Sequence, residues 1–135
     1  MLPPFNDYGN LPQGIHRAEL REIMARFGHG SPEREVELRE LIEFVEWARR
    51  AGVSRLIING SFVTAALAPN DVDIVILPGS DYPRSEAAVL GESDLPWPFL
   101  QVLIAADEGD LEAWALKDFG TNRDGSSKGV VEVIL

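Results

Sequence analysis

The stretch Arg55-Leu-Ile-Ile-Asn-Gly-Ser-Phe-Val-Thr-Ala-Ala-Leu-Ala-Pro-Asn-Asp-Val-Asp-Ile-Val-Ile-Leu77 decides the fold. A run rich in β-branched residues breaks at Gly60-Ser61, a short segment follows, and Asp71-Val72-Asp73 opens a second apolar run. Each run has strand length and turn punctuation at its end, so the pair reads as two buried strands, Val53 to Asn59 and Asp71 to Leu77. Side chains alternate across a strand, which puts Asp71 and Asp73 on one side, about 7 Å apart along the backbone. Two like charges so placed repel unless a cation or hydrogen-bond donors stand between them. A hard divalent cation, Mg²⁺ or Mn²⁺, suits such a pair, because it takes carboxylate oxygens together with substrate phosphates.

Working outward, residues 1 to 15 hold three prolines and two glycines without apolar periodicity and read as an extended arm. From His16 the pattern turns helical, with Leu20, Ile23, Met24 and Phe27 on one face and Gly28 and Gly30 as the stop. Ser31-Pro32-Glu33 is a helix start, and a long helix runs from it to about Ala51, closed by Gly52. Its expected buried stripe is Val36, Leu41, Ile42, Val45 and Ala48, widened by Leu38, Phe44 and Trp47. Arg49 and Arg50 at its end suit the negative pole of the helix dipole.

Beyond the opening stretch, Phe62 to Ala68 reads as a short helix and Arg84 to Leu90 as a helical turn or two. Phe99 to Ala106 is a third strand, interrupted by the polar Gln101. Asp107-Glu-Gly-Asp110 starts an amphipathic helix that ends at Gly120, and a polar loop leads to a last strand, Val130 to Leu135. The expected fold is α/β (α+β), a small mixed sheet of about four strands backed by helices. One domain, residues 16 to 135, follows the arm.

The formal charge of −10, from 12 basic and 22 acidic residues, argues against a duplex nucleic-acid binder working by phosphate neutralisation. It leaves room for a nucleotide whose charge is carried by bound metal. Neither a membrane span nor a signal peptide is visible, and with no cysteine the chain fits a reducing, cytoplasmic setting. The absence of cysteine also removes thiolate metal sites and cysteine nucleophiles.

The order helix, strand, Gly60-Ser61, nine residues, Asp71-Val72-Asp73, strand resembles the polymerase-beta-like nucleotidyltransferase superfamily. Asn10-Leu-Pro-Gln-Gly-Ile-His16, Gly60-Ser-Phe-Val-Thr64 and Arg123-Asp-Gly-Ser-Ser-Lys-Gly129 look in addition like a poorly characterised family of short microbial proteins. The superfamily resemblance implies that Gly60 and Ser61 bind nucleotide phosphate and that Asp71 and Asp73 are the catalytic metal ligands. It implies transfer of a nucleotidyl group from a nucleoside triphosphate to a hydroxyl. Laid on the superfamily pattern, the third strand puts Gln101 where a third carboxylate belongs, and the segment after Ser61 lacks the basic residue many such enzymes aim at phosphate. Arg123, Lys128 and Arg84 are the candidates to supply that charge.

Small superfamily members also resemble the antidote half of two-gene toxin pairs. This implies a second role, a catalytically degenerate module that binds a protein partner. The ordinary alternatives are structural: Ser61 as a helix cap, Asp107 and Asp110 as helix-start acids, His16 and His29 as surface or capping residues, and Lys128 in a polar turn. Trp47, Trp97 and Trp114 read as packing residues, with Trp97 between two prolines as a candidate cleft wall.

Overall fold

A computed structural model of the chain describes residues 2–70, 72–83, 97–118 and 128–135. Asp71, the expected helical turn at 84–90 and Arg123 lie outside the described residues. Five strands, β1 (Ile15–Ala18), β2 (Val53–Asn59), β3 (Val72–Pro78), β4 (Leu100–Ile104) and β5 (Val130–Val133), form one mixed sheet in the order β1-β5-β2-β3-β4. The outer pairs, β1 with β5 and β3 with β4, are parallel, and the two inner pairs are antiparallel. Three helices, α1 (Leu20–Phe27), α2 (Pro32–Ala51) and α3 (Glu108–Ala113), pack on this sheet.

The mixed α/β class is as expected, but the sheet has five strands where about four were expected. The added strand is β1. Its Ile-His-Arg-Ala sequence has little alternation, and it forms because Val130 to Val133, at the other end of the chain, offers it a parallel partner in register. His16 and Arg17 therefore stand in a strand and do not open the helix, which begins at Leu20. The segment before β1 packs closely: Leu2 and Leu11 are buried in the main core. Phe62 to Ala68 is likewise no full helix, only a 3₁₀ turn over Ser61–Val63.

Helix α2 starts and stops where its signals predict. The Ser31 hydroxyl accepts from Arg34 N at 3.2 Å, and Gly52 closes the helix at φ 90°, a left-handed conformation that glycine tolerates without a Cβ clash. Its buried face differs from the expected stripe. Leu41, Phe44, Val45, Trp47, Ala48 and Ala51 are buried, but toward the N-terminus Arg34, Glu37 and Glu40 take the inner positions, while Val36 and Ile42 are half-buried on the flanks. Arg34 and Glu40 bury because they meet unpaired backbone groups. Glu40 accepts from Phe99 N at 2.9 Å, and the neighbouring Glu43 accepts from Trp97 Nε1 at 3.2 Å, fixing the chain that leads into β4.

The two sheet faces carry separate cores. Leu56, Ile58, Ile74 and Ile76 pack under α1 and α2, with Trp97 wedged edge-on against Phe44 at 5.2 Å between ring centroids. Trp97 is therefore a core residue. On the opposite face Ile57, Val75, Leu77 and Val130 pack with Leu111 and Ala115 of α3 and the turn after it. Asp107 caps α3 by accepting from Asp110 N at 2.8 Å, and Asp110 accepts in return from Ala106 N at 2.9 Å. Both acids are helix-start residues, as read.

Candidate functional site

The site grows from the end of β2. Asn59 is the last residue of that strand and lies directly across from Asp73 on β3. On the other side of Asp73, in the parallel ladder to β4, lies Gln101. Laterally paired residues project from the same face of a sheet, so Asn59, Asp73 and Gln101 form one row across three strands. One pleat along, the same face is covered by α3 through Ile57 and Val75.

After Asn59 the chain turns away from the sheet at Gly60, whose φ of 90° and ψ of −173° suit a residue without a side chain. A Cβ built there would sit 2.9 Å from Asp73 Oδ2 and 3.4 Å from its Cγ, closer than packed atoms come. The Asp73 carboxylate thus lies over the bare Cα of Gly60, and the Gly-Ser turn and the second aspartate form one corner. Ser61 follows in a 3₁₀ turn held by Thr64 N and Thr64 Oγ1, both donating to Ser61 O, at 3.2 and 2.6 Å. The turn begins at Ser61 itself, with Gly60 in the cap position, so Ser61 does not stand where a helix cap would.

The turn is held from beneath by a residue that the motif reading missed. Arg34 is buried and donates to four backbone oxygens: Phe27 O at 3.0 Å, Phe62 O at 2.8 Å, Thr64 O at 2.7 Å and Ala66 O at 2.6 and 3.1 Å. The five-donor guanidinium is suited to satisfying carbonyls that a tight turn leaves without partners. Burial lowers its pKa from the ordinary arginine value, opposed by the nearby Glu37 charge. A sequence signal existed, since a basic residue in the first turn of α2 opposes the helix dipole and needs a reason. From the outer side, Gly9 O accepts from Ala65 N at 2.9 Å.

Asn59 was also missed. Its side chain is 2 % exposed, and its Oδ1 has no hydrogen-bond partner among the described residues. A buried amide oxygen in that state costs free energy on the order of 1–3 kcal/mol, which a bound water, ion or ligand group would offset.

Lys128 is the other charged residue near Asp73. It precedes β5, is half-buried, and is close enough for the Asp73 charge to raise its pKa, although burial, the larger effect, lowers it below the usual lysine range. The backbone beyond it is pinned by the N-terminal segment: Gly129 N donates to Leu11 O at 2.9 Å and Val130 N to Gly14 O at 3.0 Å. A Cβ on Gly129 would come within 2.1 Å of Pro12 O and 2.9 Å of the His16 ring. His16 Nε2 lies 2.6 Å from Pro12 O and His29 Nε2 2.6 Å from Ala25 O, so both histidines serve local backbone contacts.

A family model described as DUF6932, a family of unknown function, matches residues 3–134. The chain belongs to that family. No curated protein and no solved structure matches it. The DUF6932 match spans the N-terminal segment as well as the sheet, in keeping with the bonds from Leu11 and Gly14 to the start of β5. Among the described residues of this DUF6932 chain, no group of three or more His, Asp or Glu side chains gathers at one point. No described helix is long and apolar enough to cross a membrane.

The structure therefore brings together Gly60, Ser61, Asp73, Gln101 and Lys128 and adds Asn59 and Arg34. Asp71 and Arg123 fall outside the described residues. An acid at position 107 is not part of the corner, because its carboxylate is committed to α3.

Proposed function

We propose that the corner of Gly60, Ser61 and Asp73, with Asp71 leading into β3, binds a nucleoside triphosphate together with Mg²⁺, as in polymerase-beta-like nucleotidyltransferases. The observation that carries this reading is the Gly60 slot. The bare Cα of Gly60 lets the Asp73 carboxylate lie beside a backbone turn, and such a turn presents N–H groups to an anion at close range. The donor set fits the cation: Asp73 is half-exposed, and its ligand atoms are hard carboxylate oxygens. Mn²⁺ would fit the same atoms.

In this reading Ser61 Oγ and the turn amides hold phosphate oxygens, and Asp71 and Asp73 hold the metal. Arg34 keeps the turn in place from beneath. When bound, Mg²⁺ neutralises phosphate charge and makes the phosphorus a better electrophile. Transfer of a nucleotidyl group to an acceptor hydroxyl is the reaction such an arrangement serves.

Isothermal titration with ATP, GTP, CTP and UTP in the presence of Mg²⁺ tests the binding. At least one nucleotide is expected to bind the wild type, and Asp71→Asn with Asp73→Asn is expected to abolish it. Absence of binding to all four, or binding untouched by the double substitution, contradicts the reading.

One observation favours a second reading, a degenerate module that binds without transfer and acts on a protein partner. The ladder neighbour of Asp73 on β4 is Gln101, whose amide oxygen is a poorer ligand for a hard cation than a carboxylate. Pyrophosphate release separates the two readings. A wild type that binds nucleotide without releasing pyrophosphate, and a Gln101→Asp variant that releases it, would support the degenerate reading.

A further inference from the structure

Lys117 and Lys128 are the two lysines of a chain with a formal charge of −10. One of them, Lys128, is half-buried beside a carboxylate of the candidate site. Desolvating an ammonium is costly, and a lysine in this position ordinarily recovers the cost through a close ion pair. Lys128 has none: among the described residues no carboxylate oxygen lies within 4.0 Å of its ammonium, although it senses the charge of Asp73. Lys128 therefore senses the charge of Asp73 without an ion pair to it.

The backbone just after Lys128 is fixed. Gly129 N is bonded to Leu11 O, and the missing Cβ of Gly129 lets Pro12 and the His16 ring close against it. β5 runs antiparallel to β2 with Ile58 opposite Val131, so the start of β5, which Lys128 precedes, lies at the same end of the sheet as the end of β2, from which the Gly60–Ser61 turn springs. The segment after Ser61, Phe62-Val-Thr-Ala-Ala-Leu67, contains no basic residue that could meet a phosphate from the other side.

We propose that Lys128 binds the polyphosphate of the nucleotide, supplying from the start of β5 the positive charge that the segment after Ser61 lacks. This rests on the nucleotide reading above and adds to it the residue that touches the anion. Phosphate oxygens between Lys128 and the metal held by Asp73 would pair both charges at once. A triphosphate offers enough oxygens to bridge them, and the ribose and base are not needed for this contact.

Magnesium tripolyphosphate, which has no base or sugar, is the direct probe, measured beside Mg·ATP on the full chain. A charge-assisted contact is worth about 1.5–3 kcal/mol, so Lys128→Gln is expected to weaken both ligands roughly 10- to 150-fold, with Lys128→Arg retaining most of the affinity. A second measurement needs no variant: magnesium tripolyphosphate should slow acetylation of Lys128 in the wild type and leave Lys117 unchanged, as read by peptide mass spectrometry.

If the wild type binds both ligands and Lys128→Gln binds them equally well, Lys128 is not the phosphate residue, and the nucleotide reading stands without it. Weakened ATP binding with unchanged tripolyphosphate binding would place Lys128 against the ribose or base and overturn the proposal. A wild type that binds neither ligand overturns this proposal and the nucleotide reading together.

Discussion

At the scale of single residues, Gly60 and Arg34 decide whether the corner exists. Gly60 holds φ at 90° with Asp73 Oδ2 2.9 Å from where a Cβ would go, so Gly60→Ala combines backbone strain with a close contact. It is expected to cost roughly 1–3 kcal/mol in urea unfolding and to remove nucleotide binding. Arg34 satisfies four carbonyls on the turn and at the end of α1. Arg34→Met would leave them desolvated, and a loss of roughly 3 kcal/mol or more is expected. Arg34→Lys should recover only part of it, because three donors on one nitrogen cannot span the same spread of acceptors. Gly60 was legible in the sequence because a turn glycine between two apolar runs announces itself. Arg34 announces itself only as a cation set against the helix dipole and Asn59 not at all, because the turn oxygens that Arg34 binds and the aspartate that Asn59 faces come from other parts of the chain.

At the scale of elements, the signals that worked were local. Ser31, Pro32 and Gly52 bound α2 through contacts within a few residues, and β2 and β3 follow from their apolar runs. The strand β1 was hidden, since its partner lies more than a hundred residues away and its own sequence resembles the start of the following helix. The buried charges of α2 were hidden for the same reason, and they carry a pH signature. Burial raises the Glu40 pKa, opposed by its bond from Phe99 N, with the Glu43 charge adding to the rise. A carboxyl with a raised folded-state pKa favours folding while protonated, and that contribution is lost as pH rises through the folded value. Glu40→Gln keeps an oxygen for Phe99 N without the charge. Its melting temperature should match the wild type near pH 4 and exceed it increasingly toward pH 7. A constant difference across that range would show that the charge of Glu40 is not what the site penalises.

At the scale of the whole molecule, the two ends of the chain meet at the corner. The N-terminal segment contributes Leu2 and Leu11 to the core and bonds the start of β5, while an ion-pair cluster on the far half of the same sheet face ties β2, β5 and α3 together. There Arg55 donates to both Glu132 oxygens, at 3.0 and 2.6 Å, and to Glu108 at 2.6 Å, and the Glu132 bonds hold its pKa above the ordinary arginine value. Removing residues 1–14 should therefore lower stability by roughly 3 kcal/mol or more from the two leucines alone, at about 1.5–3 kcal/mol for each buried side chain. It should also weaken nucleotide binding, because Lys128 would lose the backbone bonds that fix its neighbour. The central claim is that the Gly60–Asp73 corner is where a nucleoside triphosphate binds with Mg²⁺. The most direct measurement is an amide proton–nitrogen NMR titration of the full chain with Mg·ATP, with Mg·GTP, Mg·CTP and Mg·UTP as the other arms. The account predicts that at least one nucleotide shifts the Gly60, Ser61 and Asp73 amides first and most, and that Asp71→Asn with Asp73→Asn removes those shifts. Shifts confined to other surfaces, or none with any of the four, would contradict it.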